Sequence, residues 1–348
     1  MRYSRLVNVT RAALPALILA VSGAPALSQQ PALLVLNKSE ASASLISLTD
    51  GSTIAKMPVG QGPHEVAVSP DGNWAVAANY GASAANPGHT LTVLDLRNRR
   101  PTQTIELGEY TRPHGITWSD GKHVIVTSEA AGAVVIVDVA GGRVERAIKT
   151  GQPGHLVTLS ADRHRGWTAN IGTGSVSLID FDKGEVLKTV VTGQGPEGSD
   201  LSPDGREFWA ADSRLNRITV LSANTLDSLA SMPTGERPNR LHFTRDGRLV
   251  LVSNIRSGTV EFFDAKARRK VDSLVFRIDS AKAGPTMLGP MGTSAQPEGI
   301  LIAPDGKHAW IALASADRIA EVDLVTRKVV RYLATGREPD GMGYVPRQ

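Results

Sequence analysis

Hydrophobic runs of five to seven residues, separated by turn residues, recur along the chain from Ala32 onward. Val134–Asp138 and Leu249–Asn254 are typical runs, and they are too short for an amphipathic helix. Their β-branched content favours strands. Turns such as Ser69-Pro-Asp-Gly72 lie between the runs and carry Pro and Gly where hairpin turns use them. The pattern predicts an all-β protein.

One phrase, a Gly followed by a short spacer, Pro and a polar residue, occurs seven times in the chain, and in the copy at Pro153 an additional residue, Gly154, precedes the polar His155. Most copies are about 42 residues apart, which is the length of a four-stranded propeller blade. Two steps are longer, at about 50 and 59 residues, and indicate insertions. The prolines of the seven copies are Pro63, Pro113, Pro153, Pro196, Pro238, Pro297 and Pro339. The repeat predicts a seven-bladed β-propeller.

The two ends of the repeat region complement each other. The region begins with three predicted strands, Ala32–Asn37, Ser44–Leu48 and Thr53–Val59, which correspond to strands two to four of a blade. It ends with one further predicted strand, Gly341–Val345. We therefore predict that the propeller is closed by pairing of the C-terminal strand with the N-terminal blade, which leaves no unpaired inner edge.

The second strand of several repeats ends in Asn after small or β-branched residues, as in Ala77-Ala-Asn79. Together with the Ser-Pro-Asp-Gly turns, this pattern resembles the YVTN family of exported bacterial propeller repeats. Ser128, Asp212 and Leu313 depart from the pattern, since they stand at the position of the Asn. The resemblance implies the propeller fold over the whole mature chain. Propellers of similar architecture include lactonases, haem-binding nitrite reductases and accessory proteins of quinoprotein dehydrogenases, so the fold does not decide the function.

The first 28 residues differ from the rest of the chain. Three arginines precede an apolar stretch, Ala12–Val21, and small residues follow it up to Ser28. Because this is the layout of a secretory signal, we predict a signal peptide at 1–28 and a single propeller domain at 29–348, located in the periplasm or secreted. An uncleaved membrane anchor is the alternative, although Pro15 interrupts a stretch that is short for spanning a bilayer. After cleavage no stable membrane insertion is expected.

The charge balance narrows the choice of partners. The sequence has 38 Lys and Arg and 34 Asp and Glu, and three of the basic residues lie in the predicted signal. The mature chain is therefore nearly neutral and has no basic block, so nucleic-acid binding is not expected. The chain contains no Cys, which excludes disulfides, thiolate metal sites and cysteine nucleophiles.

The polar residue of each repeated phrase marks the candidate site. In a propeller the first strand of each blade borders the central channel, and the loop before it lies on one face. The polar side chains should therefore ring the mouth of the channel, and both insertions, Tyr80–His89 and Arg277–Gln296, should lie on the same face. Together with Arg240, the residues predicted to bind a ligand are His64, His114, His155, Glu197, Asn239, Glu298 and Asp340.

The polar ring is compatible with two functions. One is a non-enzymatic propeller that binds a periplasmic protein partner or a small molecule, as an accessory to a redox or catabolic system. The other is a lactonase-like hydrolase with His114 or Glu197 as the base. No serine-nucleophile motif is present, and the sequence leaves open whether the protein is an enzyme. In the hydrolase hypothesis the groups that hold an oxyanion or carboxylate are Arg112, Arg240 or Asn239.

A divalent metal or haem at the ring is a third hypothesis. Imidazole and carboxylate groups together bind zinc, copper or iron. The candidate ligands are three histidines in consecutive repeats, His64, His114 and His155. The same position holds Asn239 in another repeat, which favours the plainer interpretation that these polar residues cap the loop and hydrate the channel.

Overall fold

The computed structural model describes residues 30–346, which form seven four-stranded antiparallel sheets. The all-β, seven-bladed propeller is thus confirmed, while the predicted signal peptide lies outside the described residues. Blade 1 consists of β1 (Ala32–Asn37), β2 (Ser42–Ser47), β3 (Thr53–Pro58) and β28 (Pro339–Val345).

The other six blades each use four consecutive strands. Blade 2 consists of β4 (Pro63–Val68), β5 (Trp74–Ser83), β6 (Asn86–Asp95) and β7 (Arg100–Glu106). Blade 3 consists of β8 (Pro113–Trp118), β9 (His123–Ser128), β10 (Ala133–Asp138) and β11 (Arg143–Lys149). Blade 4 consists of β12 (Gly154–Leu159), β13 (Arg165–Asn170), β14 (Ser175–Asp180) and β15 (Glu185–Val191).

Blades 5 to 7 complete the ring. Blade 5 consists of β16 (Pro196–Leu201), β17 (Glu207–Asp212), β18 (Arg217–Ser222) and β19 (Ser228–Pro233). Blade 6 consists of β20 (Pro238–Phe243), β21 (Leu249–Asn254), β22 (Thr259–Asp264) and β23 (Arg269–Val275). Blade 7 consists of β24 (Pro297–Ile302), β25 (His308–Leu313), β26 (Arg318–Asp323) and β27 (Lys328–Ala334). Short 3-10 turns occur at Lys38–Glu40, Ser280–Lys282 and Ala314–Ala316. Within residues 30–346 no helix is both long and apolar enough to cross a membrane.

The hydrophobic core lies between adjacent blades. One cluster joins Leu33 and Ile46 of blade 1 to Trp310 and Ile319 of blade 7. Strand β1 is buried at every position, because neighbouring blades cover both of its faces. The outermost strand β27 alternates between exposed and covered positions instead. This gradient explains why runs of the middle strands, such as that of β1, read as continuously hydrophobic in the sequence, whereas the fourth runs alternate.

The Ser-Pro-Asp-Gly turns connect first and second strands. In blade 2 the Gly72 amide donates to the Ser69 carbonyl at 2.8 Å, and the Ser69 hydroxyl donates to Asp71 at 2.5 Å. The Trp74 amide donates back to the Ser69 hydroxyl at 3.0 Å, so the turn is held from both sides. Gly72 has φ 72°, a left-handed conformation that favours glycine.

The predicted closure is observed. Strand β28 pairs with β1 in antiparallel register, with Val345 opposite Ala32 and Gly343 opposite Leu34. The strand begins at Pro339, two residues before the predicted start. It therefore forms the innermost strand of blade 1 and carries Asp340 into the channel region.

The two insertions take different forms. The segment predicted as a loop at Tyr80–His89 continues strands β5 and β6, which are both ten residues long and form an extended hairpin. The second insertion precedes blade 7 and is closed at its base by an isolated bridge between Arg277 and Ser294.

Candidate functional site

The predicted polar ring lines one cavity, here called the upper cavity, on the face that carries the loops before the first strands. Its volume is about 600 Å³, which is within the range of small-molecule sites. The ring residues in this cavity are His64, His114, His155, Glu197, Asn239, Glu298 and Asp340, with Arg240 beside them. All of these side chains except that of His64 are buried. Each blade contributes one ring residue, so the seven blades converge on a single site.

A β-bulge places each ring residue. In blade 2, Pro63 pairs with Asn79. The next pair is Val66 with Ala77, so the first strand holds one extra residue directly after the proline. The same irregularity occurs at this point of the first strand in every blade. Because a bulge bends the strand and redirects a side chain, the post-proline residue can face the channel mouth in six blades, and in blade 4 the same holds for His155, which follows Gly154.

A second group of cavity residues, which sequence reasoning missed, comes from the second strands of five blades. Each of them directly follows the Asn of the family pattern or its substitute, which ends the strand in four of these blades and lies within the longer β5 in blade 2. These residues are Lys38, Tyr80, Glu129, Ile171 and Ser213. The signal that could have found them is their constant place one residue after the strand-two Asn.

Both insertions reach the upper cavity, as predicted. The extended hairpin of blade 2 contributes Ala82, Ser83 and Ala84. The insertion before blade 7 contributes Met287 and Leu288. The rim of the cavity is therefore built from segments that lie outside the regular repeat.

His64, His114 and His155 lie side by side in blades 2 to 4. The ring centroids of His114 and His155 are 3.6 Å apart, and those of His64 and His114 are 5.0 Å apart. Desolvation of the half-buried ring, together with the nearby Lys38 charge, lowers the pKa of His64 to about 3. Burial and the neighbouring histidines hold the pKa of His114 well below its ordinary value. Both imidazoles are therefore neutral at physiological pH.

The same three histidines are the candidate ligands for a metal or haem. The rings of His114 and His155 meet close to face to face, with planes 35° apart, and Glu129 engages Nδ1 of His155. Across residues 30–346, no group of three or more His, Cys, Asp or Glu side chains is arranged to hold a metal ion. The metal and haem hypothesis stays a prediction.

Glu129 joins three blades at the histidine side of the cavity. Its Oε1 accepts a hydrogen bond from Nδ1 of His155 at 2.5 Å. Its Oε2 accepts from the Tyr80 hydroxyl at 2.6 Å and from Nε of Arg112 at 3.1 Å. Burial opposes its ionisation, but His155 and Arg112 outweigh burial and hold the pKa of Glu129 below its usual range. Because a carboxylate can only accept, the neutral form of His155 carries its proton on Nδ1 and has Nε2 as its acceptor. Nε2 lies 3.9 Å from Oε1 of Glu197.

Lys38 lies among three carboxylates where blades 1 and 7 meet. Its Nζ forms a short ion pair with Glu298 and lies 3.6 Å from Glu338 and 3.4 Å from Asp340. Burial works against the charge of Lys38, but Asp340, Glu298 and Glu338 together raise the pKa of Lys38 above its usual range. Burial raises the pKa of Glu298 to about 7, although Lys38 opposes this shift.

Arg240 separates the upper cavity from a second chamber of about 620 Å³ and lines both. Its guanidinium pairs with Glu65 at 2.5 Å and lies 3.7 Å from Asp340. Because Arg240 belongs to blade 6 and Glu65 to blade 2, this pair spans the channel. Beside it, Nδ2 of Asn239 donates to Oε1 of Glu197 at 2.5 Å. The charge of Arg240 is therefore matched within the protein.

Several buried polar atoms of the cavity have no hydrogen-bond partner within the described part of the chain. They are Nδ1 of His114, Nε2 of His155, Oε1 of Glu298 and Oδ1 of Asp340. Leaving a buried polar group unpaired costs roughly 1–3 kcal/mol, so such atoms in a native structure call for a ligand, an ion or water. The two carboxylate oxygens and His155 Nε2 are acceptors. The cavity therefore offers mainly acceptors to its contents.

No protein-family model matches the chain, and no curated relative matches it either. Solved structures do resemble it. The periplasmic gluconolactonase of Pseudomonas aeruginosa has a TM-score of 0.70 and 17% identity, over 92% of this chain and 100% of that one. The hydrazine synthase of Kuenenia stuttgartiensis has a TM-score of 0.70 and 17% identity, over 84% and 92% of the two chains.

A putative 6-phosphogluconolactonase from Bacteroides uniformis is similar to the same extent. Its TM-score is 0.71 at 14% identity, over 91% of this chain and 99% of that one. At identities of 14–17%, these likenesses show the seven-bladed propeller fold alone. Membership of the YVTN family stays a prediction, and these likenesses do not show which activity the chain has.

Proposed function

We propose that this chain is exported to the periplasm and there binds a small polar molecule in the upper cavity, as a component of a redox or catabolic system. The observation that carries the proposal is the convergence of seven buried or half-buried polar residues, one from each blade, on one cavity of about 600 Å³. Unpaired acceptors in that cavity support it, because binding would supply their missing hydrogen bonds. The N-terminal pattern of basic, apolar and small residues supports export.

Glu298 offers the sharpest test of ligand binding. Calorimetric titration with methyl β-D-glucopyranoside and with myo-inositol should give saturable binding to the wild type. At pH 8, above the pKa of about 7 that burial gives Glu298, Glu298→Gln should weaken binding by about 10- to 100-fold, because it removes a charged acceptor while keeping the shape of the side chain. The proposal fails if neither probe binds at millimolar concentration.

Glu261→Gln is the matched control for this test. Glu261 is also buried and also pairs with a lysine, Lys270 at 2.9 Å, but it does not line the upper cavity. We expect its affinity for both probes to equal that of the wild type. An equal loss in both variants would assign the effect to general destabilisation and contradict the role of Glu298 in binding.

Hydrolysis of an ester or lactone is a second candidate function, favoured by the Glu129–His155 pair. Such a carboxylate–imidazole pair orients a general base, here Nε2 of His155. In this reaction Nε2 takes a proton from water, and the water oxygen bonds to the carbonyl carbon. The ring C–O bond then breaks, and the departing alkoxide takes the proton back from the imidazolium. Arg112 and Arg240 already have carboxylate partners, so neither is a free oxyanion donor in this arrangement.

A pH-stat assay with glucono-1,5-lactone tests this second candidate. If His155 is the base, Glu129→Gln should lower the rate at least about 100-fold, because the imidazole loses the carboxylate charge that fixes its tautomer and stabilises the imidazolium. Asp120→Asn provides the control, since Asp120 pairs with His123 at 2.8 Å away from the cavity. A wild-type rate equal to spontaneous hydrolysis would rule the candidate out.

A further inference from the structure

We propose that the ligand of the upper cavity is amphipathic, with a neutral hydroxyl-bearing head in the polar ring and a hydrocarbon or aryl tail against the rim. This inference rests on the proposed binding function and adds the chemical class of the ligand. It is carried by two features that lie at different places in the same cavity: matched charges with unpaired acceptors at the ring, and exposed apolar side chains at the rim.

The head should be neutral because the cations at the polar ring are already matched by carboxylates. Within residues 30–346 these pairs are Lys38 with Glu298, Arg112 with Glu129, and Arg240 with Glu65. A phosphate or carboxylate that binds one of these three cations would displace its partner and leave a carboxylate buried without its cation. A hydroxyl group, in contrast, can donate to the unpaired oxygens of Glu298 and Asp340 without disturbing any pair.

The rim of the cavity, in contrast to the polar ring, is apolar. Met287 and Leu288 line the cavity and are 39% and 37% exposed, which places two large apolar side chains next to water at its mouth. Ala82 and Ala84 line it from the hairpin of blade 2, and Ile171 lines it from blade 4. Apolar groups in this position gain free energy only when something apolar covers them.

The rim residues are held in place by hydrogen bonds of their loop. The Met287 amide donates to Oε1 of Glu338 at 2.5 Å, and Glu338 also faces Lys38, which lies beside Glu298 and Asp340 of the ring. Nε2 of Gln296 donates to the Gly289 carbonyl at 2.7 Å. The apolar rim therefore has a fixed position relative to the polar ring, as recognition of a two-part ligand requires.

An n-alkyl β-D-glucoside series tests the inference. Calorimetric Kd values are measured for the methyl, butyl and hexyl members below their micellar concentrations. For the wild type we expect the affinity to rise about threefold per methylene that the rim covers. In the double variant M287S/L288S the methyl member should bind within about twofold of wild type, while the gain with chain length disappears.

Two further variants separate the effects of the head and of the tail from unspecific effects. Glu298→Gln should weaken every member by the same factor, because it acts on the head alone. The double variant L229S/V330S changes two exposed apolar residues away from the cavity and should leave the series unaltered. Equal affinity of all members for the wild type would overturn the amphipathic ligand while leaving the proposed function intact, whereas binding of no member would overturn the proposed function itself.

Discussion

Truncation after Glu338, which removes strand β28, should lower the melting temperature by at least about 10 °C or abolish cooperative unfolding. The strand is the innermost of blade 1, and six of its seven residues are buried. Its removal leaves β1 without a partner on one side and opens the ring between blades 7 and 2. An open ring exposes strand edges and the apolar faces of two blades.

The close approach of backbones at the channel strengthens this expectation. A side chain added at Gly341 would meet the backbone of His64 and Glu65 in blade 2. One added at Gly299 would meet the backbone of Asp340 in blade 1. Strand β28 therefore packs tightly between the inner strands of both neighbouring blades, and no other described strand can take its place.

Truncation after Val345 is the control for this prediction. It removes only the residues that follow β28, so the melting temperature measured by circular dichroism should stay within about 1 °C of wild type. A normal melting temperature after loss of the whole strand would show that the closure does not support the fold.

Lys38→Met should lower the free energy of unfolding by about 3–5 kcal/mol at pH 8. The substitution leaves Glu298, Glu338 and Asp340 buried near one another without their shared cation. Urea unfolding at several pH values provides the measurement. Lys56→Met is the matched control, because Lys56 also pairs with a carboxylate but its side chain is 49% exposed. We expect the control to change stability by less than about 1 kcal/mol.

The pH dependence distinguishes electrostatic from packing effects in this variant. Burial already raises the pKa of Glu298 to about 7 in the folded wild type, above the value of about 4.3 for an unfolded chain. A carboxyl group with a raised folded pKa binds more protons when folded, so its contribution to stability falls as pH rises through this window. Loss of Lys38 raises that pKa further. The deficit of Lys38→Met should therefore shrink between pH 8 and pH 5, and a deficit independent of pH would indicate lost packing instead.

Lys38 takes part both in closing the ring and in forming the ligand site, so the closure and the binding of a ligand need separate variants. It belongs to the turn after β1, while Glu338 and Asp340 lie just before and within β28, and Glu298 lies in β24. The cluster that seals the ring thus forms one wall of the upper cavity. Isosteric changes such as Glu298→Gln are suited to binding measurements, because they preserve volume and leave the cation in place.

Much of this architecture could be predicted from the sequence. The repeat gives the number of blades, and the turn residues give the order of strands within each blade. The polar residue of each repeated phrase was placed correctly at the channel mouth because its position depends only on local features, a loop before a first strand and its bulge. The extended hairpin at Tyr80–His89 was predicted as a loop, since its Gly, Ala and Asn content conceals strands that are formed by pairing with each other.

The partners within the site were decided only by the tertiary structure. Lys38 meets Glu298 across 260 positions of sequence, and Arg240 meets Glu65 across 175. Glu129 reaches His155 of the next blade, and this contact sets which imidazole nitrogen can accept a proton. A repeat specifies each blade and its contacts with the neighbouring blades. Distances across the closed ring depend in addition on the angles between all successive blades. For this reason the sequence determined which side chain of each repeated phrase lies at the channel mouth, and only the closed propeller decided which other residues join them, which charges are matched and which acceptors are left for a ligand.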